Sequence, residues 1–244
     1  MRVIKMFKRT TAAIICFVMG GIGFTGLIKE KNKEKISEEK YANAVSAYKT
    51  EADGRYSVYG GIMENLQEKY TDICGWINVA DTKICYPLLL TTDNEYYVRR
   101  AYDGTMDKNG SVIVDYRSDR SLMSNRNIIL YGHNMASGNM FAYLSKPERF
   151  INAEIEIYSD GVLGIYKPYA AYIEGGNEFV KLSFSNEAEI ERYISDGIQK
   201  TIVDFDTVPQ GTPYLLTLIT CESNLGLGDK RIVIHAVRTE LILP

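Results

Sequence analysis

The chain has 244 residues, 45% hydrophobic and 24% charged, the balance of an ordinary globular protein with room for one large domain or two small ones. Its formal net charge is −3, but the first 35 residues carry eight Lys/Arg and two Glu, a net +6, which leaves −9 for residues 36–244. An acidic body with no glycine-rich phosphate loop and no basic patch interleaved with aromatics argues against nucleic acid as a partner.

Residues 1–9 are basic, with Arg2, Lys5, Lys8 and Arg9. Residues 10–28 are nineteen consecutive uncharged, mainly apolar positions, close to the roughly 20 that span a bilayer as a helix. No Ala-x-Ala-like site closes this core, so an uncleaved transmembrane signal anchor is expected in preference to a cleavable signal peptide. Lys29, Lys31, Lys33 and Lys35 weaken the charge asymmetry that would orient it. Residues 29–50 are polar and helix-prone. After Ala52-Asp53-Gly54, Tyr59, Ile62, Met63, Leu66 and Tyr70 recur at helical spacing, so 29–70 read as a stalk and N-terminal helices.

From Gly75 the period shifts toward two. Gly75–Val79, a turn at Ala80-Asp81-Thr82, and Lys83–Leu88 read as a hairpin; Ser111–Asp115 and Asn127–Tyr131 read as two further strands. Met140–Leu144 is expected to form a short helix ending before Pro147. Glu154–Tyr158 alternates, Ser159-Asp160-Gly161 turns the chain into Val162–Tyr166, and Tyr169–Ile173 gives another strand. Asn186-x-x-Glu189 has the form of a capping box ahead of Ile190, Tyr193, Ile194 and Ile198, a helical stripe on an exposed insertion. The apolar runs Leu215–Thr220 and Arg231–Val237, joined by a polar loop, read as adjacent strands. This pattern, with about eight strands and no repeated βαβ rhythm, predicts a mostly β domain over 71–244. The expected form is a closed mixed β-barrel with peripheral helices, because closure removes unpaired edges.

Four cysteines are present, Cys16, Cys74, Cys85 and Cys221, without the spacing of a zinc site. Cys74 and Cys85 are either two buried free thiols or, in an exported domain, a disulfide. If the last two strands pair antiparallel, Cys221 and Arg231 become neighbours at one rim of the sheet. A thiol attacks a carbonyl as thiolate and needs a base. The chain has two histidines, and His133 comes directly after a strand-like run, whereas His235 sits mid-strand and reads as a hydrogen-bonded scaffold residue. Arg231 could supply donors and fixed charge to an oxyanion, and Thr220 and the backbone N–H of Glu222 flank the thiol. Thiol, imidazole and guanidinium suffice for acyl transfer, so no metal or organic cofactor is called for. No carboxylate cluster is spaced as a calcium loop.

Tyr131-Gly132-His133-Asn134, Thr217-Leu218-Ile219-Thr220-Cys221 and Arg231-Ile232-Val233-Ile234-His235-Ala236 together resemble the sortases, membrane-anchored cysteine transpeptidases of Gram-positive bacteria. The resemblance covers roughly residues 70–240 and, through Thr220-Cys221-Glu222, is similar to class B. It implies two helices before an eight-stranded barrel and a helix inserted before the penultimate strand. It implies catalytic roles for His133, Cys221 and Arg231 and, near the active site, a place for Asn94. The implied partners are secreted proteins with a C-terminal sorting motif, cut after a threonine, and an amine of cell-wall peptidoglycan or of a pilin subunit. The implied location is a single-pass membrane protein with its catalytic body outside the cell. A membrane-anchored cysteine peptidase that hydrolyses, and a catalytically silent cell-wall assembly module, are the rival readings.

Overall fold

The computed structural model describes residues 31–42, 55–175, 180–223 and 230–243, with backbone alone at 55–60, 62 and 221–223. The expected anchor at 10–28 lies outside the described residues. Among the described residues no helix is long and apolar enough to cross a membrane.

Residues 31–42 form a helix, α1, carrying an i,i+4 pair between Lys35 and Glu39 on its exposed face. This helix belongs to a separate compact unit, residues 1–44. In the second unit, α2 (Arg55–Lys69) buries Met63 and half-buries Leu66, consistent with the apolar spacing read from the sequence. Eight strands come after it: β1 (Ile73–Val79), β2 (Cys85–Leu89), β3 (Val112–Val114), β4 (Asn127–Asn134), β5 (Ile155–Ser159), β6 (Val162–Glu174), β7 (Leu215–Ser223) and β8 (Arg231–Ile242). They close into a barrel in the order β1-β2-β3-β4-β7-β8-β6-β5. The pairs β2·β3 and β4·β7 are parallel and the rest antiparallel. Closure pairs every strand on both sides, which answers the edge problem that eight short β runs pose. Trp76, Ile77, Leu88, Leu89, Ile128 and Phe150 are among the fully buried side chains.

Two details depart from the expectation. The runs Val162–Tyr166 and Tyr169–Ile173 are one continuous strand, β6, whose register to β8 shifts between Ile165 and Tyr166 and again between Pro168 and Ala170. Proline has no N–H to give the ladder, and the second shift absorbs it without ending the strand. The expected helix at Met140–Leu144 is a 3₁₀ turn at Ala142–Ser145, and Pro147 opens a second one rather than only closing the first. The β5–β6 turn is as expected: Asp160 (φ 50) and Gly161 (φ 77) take the left-handed pair of conformations that a two-residue hairpin demands.

Helix α3 (Glu187–Lys200) lies between β6 and β7 and starts where the capping signal put it. Asn186 Oδ1 accepts from Glu189 N at 3.0 Å, while the Glu189 carboxylate reaches back to Ser185 N at 2.6 Å and also meets Lys181 Nζ. The helix is packed down rather than free. Ile190 and Ile194 are buried with Tyr169, Ala170, Leu215 and Val237 on the outside of the barrel wall, whereas Ile198 falls outside the stripe at 41% exposure.

Candidate active site

Strand β4 continues three residues past the predicted run, through Gly132, His133 and Asn134. Beyond Asn134 the chain folds back on the strand: Phe141 N donates to His133 O at 2.9 Å, and the Phe141 ring lies over Gly132. A Cβ on residue 132 would stand 2.7 Å from that ring, so glycine is required for the close approach. Asn134 Nδ2 donates to Ser145 Oγ at 2.8 Å and ties the end of the strand to the same turn. His133 is therefore held by its backbone on a rigid strand end.

Its ring is oriented by a group with no signature in the sequence. His133 Nε2 lies 2.7 Å from the carbonyl oxygen of Val98, in the 3₁₀ turn Tyr96–Arg99. A carbonyl can only accept, so Nε2 carries the proton and Nδ1 is the ring nitrogen left to take another.

β4 and β7 run parallel with Asn127 opposite Leu215, Ile129 opposite Thr217, Tyr131 opposite Ile219 and His133 opposite Cys221. Adjacent strands stand ~4.8 Å apart and side chains alternate between faces. His133 and Cys221 are thus register partners where the two strands end. On the other side β7 pairs antiparallel with β8, Thr217 opposite His235 and Ile219 opposite Val233. Cys221 lies two residues beyond Ile219, and Arg231 two before Val233, at the same rim. The Arg231 guanidinium donates from Nη1 to Thr220 O at 3.4 Å and is half-buried. Three strands thus bring residues 133, 221 and 231 to one end of the barrel.

The other residues singled out in the sequence take different places. Thr220 is fully buried and its hydroxyl accepts from Ile232 N at 3.1 Å, so the group it turns to the site is its carbonyl, engaged with Arg231. Glu222 is placed by backbone in β7, immediately after Cys221. Asn94 Oδ1 accepts from Tyr116 N at 2.9 Å, tying the loop before Val98 to the end of β3. His235 lies within the barrel wall, 1% exposed, hydrogen-bonded on both ring nitrogens.

Cys74 and Cys85 are free thiols, not bridged. Burial pushes the Cys74 thiol up to about 12, against a smaller opposing effect of Arg120, which keeps it an inert proton-bearing group. Cys85 Sγ accepts from the Trp76 indole N–H at 3.4 Å.

A second cluster lies beside the first and has only a faint trace in the sequence. Tyr131, two residues before His133 on the same face, donates through its hydroxyl to Asp115 Oδ2 at 2.8 Å. Arg117 grips the same carboxylate with Nε and Nη2, each at 2.8 Å. Burial works to raise the Asp115 carboxyl, but the hydrogen bonds from Arg117 and Tyr131 outweigh it and hold the group below the ordinary carboxylate range. Asp115-x-Arg117 at a strand end is the available signal; its partner on another strand has none.

A family model described as the sortase domain matches residues 90–239. Sortase B of Listeria monocytogenes is 30% identical over 178 residues, spanning 71% of this chain and 72% of that protein, and Sortase B of Staphylococcus aureus is 27% identical over the same shares. Among solved structures, sortase B of Bacillus anthracis superposes with a TM-score of 0.73 at 28% identity, covering 84% of this chain and 97% of the other. A mutant form of Clostridium perfringens sortase B superposes at 0.72 with 26% identity, covering 82% and 97%. The chain belongs to the sortase family of cysteine transpeptidases, with its likeness to class B.

Proposed function

We propose that this sortase cuts a short sorting motif near the C-terminus of a secreted protein, after a threonine, with Cys221 as nucleophile, His133 as proton carrier and Arg231 as electrophilic partner. The observation that carries the reading is the cross-strand pair His133–Cys221, with Arg231 opening the neighbouring strand beside it.

The chemistry comes from the placement. An isolated thiol, with pKa ~8.5, is mostly protonated at neutral pH. With the Val98 carbonyl occupying Nε2–H, His133 takes the thiol proton on Nδ1, and the thiolate attacks the scissile carbonyl carbon. Negative charge gathers on the carbonyl oxygen, where the Arg231 guanidinium supplies fixed charge and donors. The carbon–nitrogen bond breaks as Nδ1–H protonates the departing amine, leaving a thioester on Cys221. An acceptor amine then attacks that thioester, gives a proton to Nδ1, and releases the thiolate. The Thr220 carbonyl beside Arg231, the Glu222 N–H next to Cys221, and Asn94 are the groups assigned to align the substrate backbone. The acceptor is an amine of a cell-wall peptide or of another protein subunit. The catalytic body works outside the cell, tethered by residues 10–28.

The purified full-length chain, mixed with a panel of sorting-motif peptides and followed by mass spectrometry, tests this. The expected result is one motif joined through its acyl group to Cys221, a ligated product on adding amine, and neither with Cys221→Ala. Hydrolysed product alone at saturating amine would make the protein an anchored peptidase. Unchanged surface anchoring of the client in cells carrying Cys221→Ala would make it an assembly module.

A further inference from the structure

The three strands that carry His133, Cys221 and Arg231 also carry a buried chain of hydrogen bonds on the same face. Asn127 lies six residues before His133 on β4, Thr217 four before Cys221 on β7, and His235 four after Arg231 on β8. All three are at most 1% exposed. Tyr172 of β6 joins them. The Tyr172 hydroxyl lies 2.7 Å from His235 Nε2, and His235 Nδ1 lies 2.9 Å from Thr217 Oγ1. Thr217 Oγ1 donates to Asn127 Oδ1 at 3.0 Å, and Asn127 Nδ2 donates to the Lys181 carbonyl at 2.8 Å.

The direction of every bond can be fixed. Thr217 has one hydroxyl proton and spends it on Asn127, so it accepts from His235 Nδ1–H. His235 Nε2 then has only a lone pair, which accepts from Tyr172 O–H. The chain therefore runs one way, Tyr172 to His235 to Thr217 to Asn127 to the Lys181 carbonyl, with each link using the donor the previous one leaves. Tyr193 of α3 braces it, receiving a bond from Asn127 Nδ2 at 3.3 Å and standing edge-on to the His235 ring.

Its far end is not in the barrel. Lys181 belongs to the β6–β7 connection, where Val180 and Leu182 pack against the cluster of Ile129, Tyr172, Ile219 and Val233, as Tyr131 also does. Tyr131 and Ile219 are the residues immediately below His133 and Cys221 on that face. Segment 180–184 thus lies against the face just below residues 133 and 221. We propose that Tyr172, His235, Thr217 and Asn127 are positioning residues that set the height of segment 180–184 beside the site, and so govern capture of the acyl-donor peptide. The inference rests on the peptide-transfer reading given above.

Thr217→Val keeps the shape and removes the one hydroxyl that joins both halves of the chain, while Thr217→Ser keeps the hydroxyl. Ile155→Val, in β5 away from this face, serves as a control that loosens the core without touching the network. In the full-length protein, amide hydrogen exchange over 180–185 should quicken about fivefold or more in Thr217→Val and not in the other two. With the peptide the wild type cleaves best, KM should rise about tenfold in Thr217→Val with kcat within about twofold, and Thr217→Ser should stay near wild type. Unchanged exchange over 180–185 in Thr217→Val, or a fall in kcat with KM unmoved, overturns the proposal. A wild type that cleaves no peptide would sink the functional reading instead, and the exchange measurement would still decide whether the network holds the segment.

Discussion

At the residue scale, the site depends on groups that cannot be exchanged for near relatives. Arg231 reaches the Thr220 carbonyl through one guanidinium nitrogen, which leaves the planar fork available to a second oxygen. Lysine keeps the charge but loses the fork. Arg231→Lys is expected to lower the rate of peptide cleavage ~10²–10³-fold, the usual cost of an oxyanion donor, while the thermal midpoint stays close to wild type. Steady-state cleavage beside a melting curve checks both halves. Gly132 is a different case, because its constraint is space: a Cβ would meet the Phe141 ring at 2.7 Å, and Phe141 is the residue whose N–H holds the His133 carbonyl. Gly132→Ala should cost about 1–3 kcal/mol in urea unfolding and also weaken cleavage by shifting His133. Adding Phe141→Leu should recover part of each. A destabilised Gly132→Ala enzyme of full activity would show that the Phe141 turn does not steer His133.

At the scale of the element, the sequence spoke clearly wherever order is local. The turn at Asp160-Gly161, the cap at Asn186 and the alternation of β5 are short-range patterns, and each element stands within a residue or two of its expected place. The break expected between Tyr166 and Tyr169 is absent: Pro168, of a type that ordinarily ends a central strand, is accommodated there by a register shift. The pairing of β4 with β7, over 80 residues apart in sequence, has no local signature. His133 and Cys221 could be connected beforehand only through residue types and the motif likeness. The Val98 carbonyl was out of reach altogether, because a backbone oxygen is the same in every sequence. The cap is the element's simplest test. Asn186→Ala removes the acceptor for Glu189 N and should lower stability by about 1 kcal/mol, while Asn186→Ser should lose little, as read from thermal or urea midpoints. If α3 folds only as part of the whole, the two variants will also unfold with the wild-type cooperativity.

At the scale of the molecule, the barrel has enclosed an ionisable group, and that makes its stability depend on pH. Burial lowers the His235 pKa to about 3, with the nearby charge of Lys200 acting in the same direction. The groups around the ring are the phenols of Tyr169, Tyr172 and Tyr193, with Thr217 below and Gly197 of α3 above, none of which can balance an imidazolium. In the unfolded chain the same imidazole titrates near its ordinary ~6.5. Below that value the unfolded state binds a proton that the folded state refuses, so the contribution to stability is complete above it and drains away as pH falls toward 3. With one proton at stake, unfolding free energy should drop by about 2 kcal/mol between about pH 7.5 and 5, before most carboxylates titrate. The chain has one other histidine, His133. Urea midpoints measured across this range in a His133→Gln background therefore isolate His235. The slope should persist there, and also when Tyr172→Phe is added. It should vanish when His235→Gln is added instead, because only that change removes the titrating ring. In spectra of the wild type, the His235 ring signals should stay at their neutral position down to pH values where the fold itself is lost. A flat stability profile in the His133→Gln protein, or a His235 ring that titrates near its ordinary value, would mean that the outer wall of the barrel opens to water under α3.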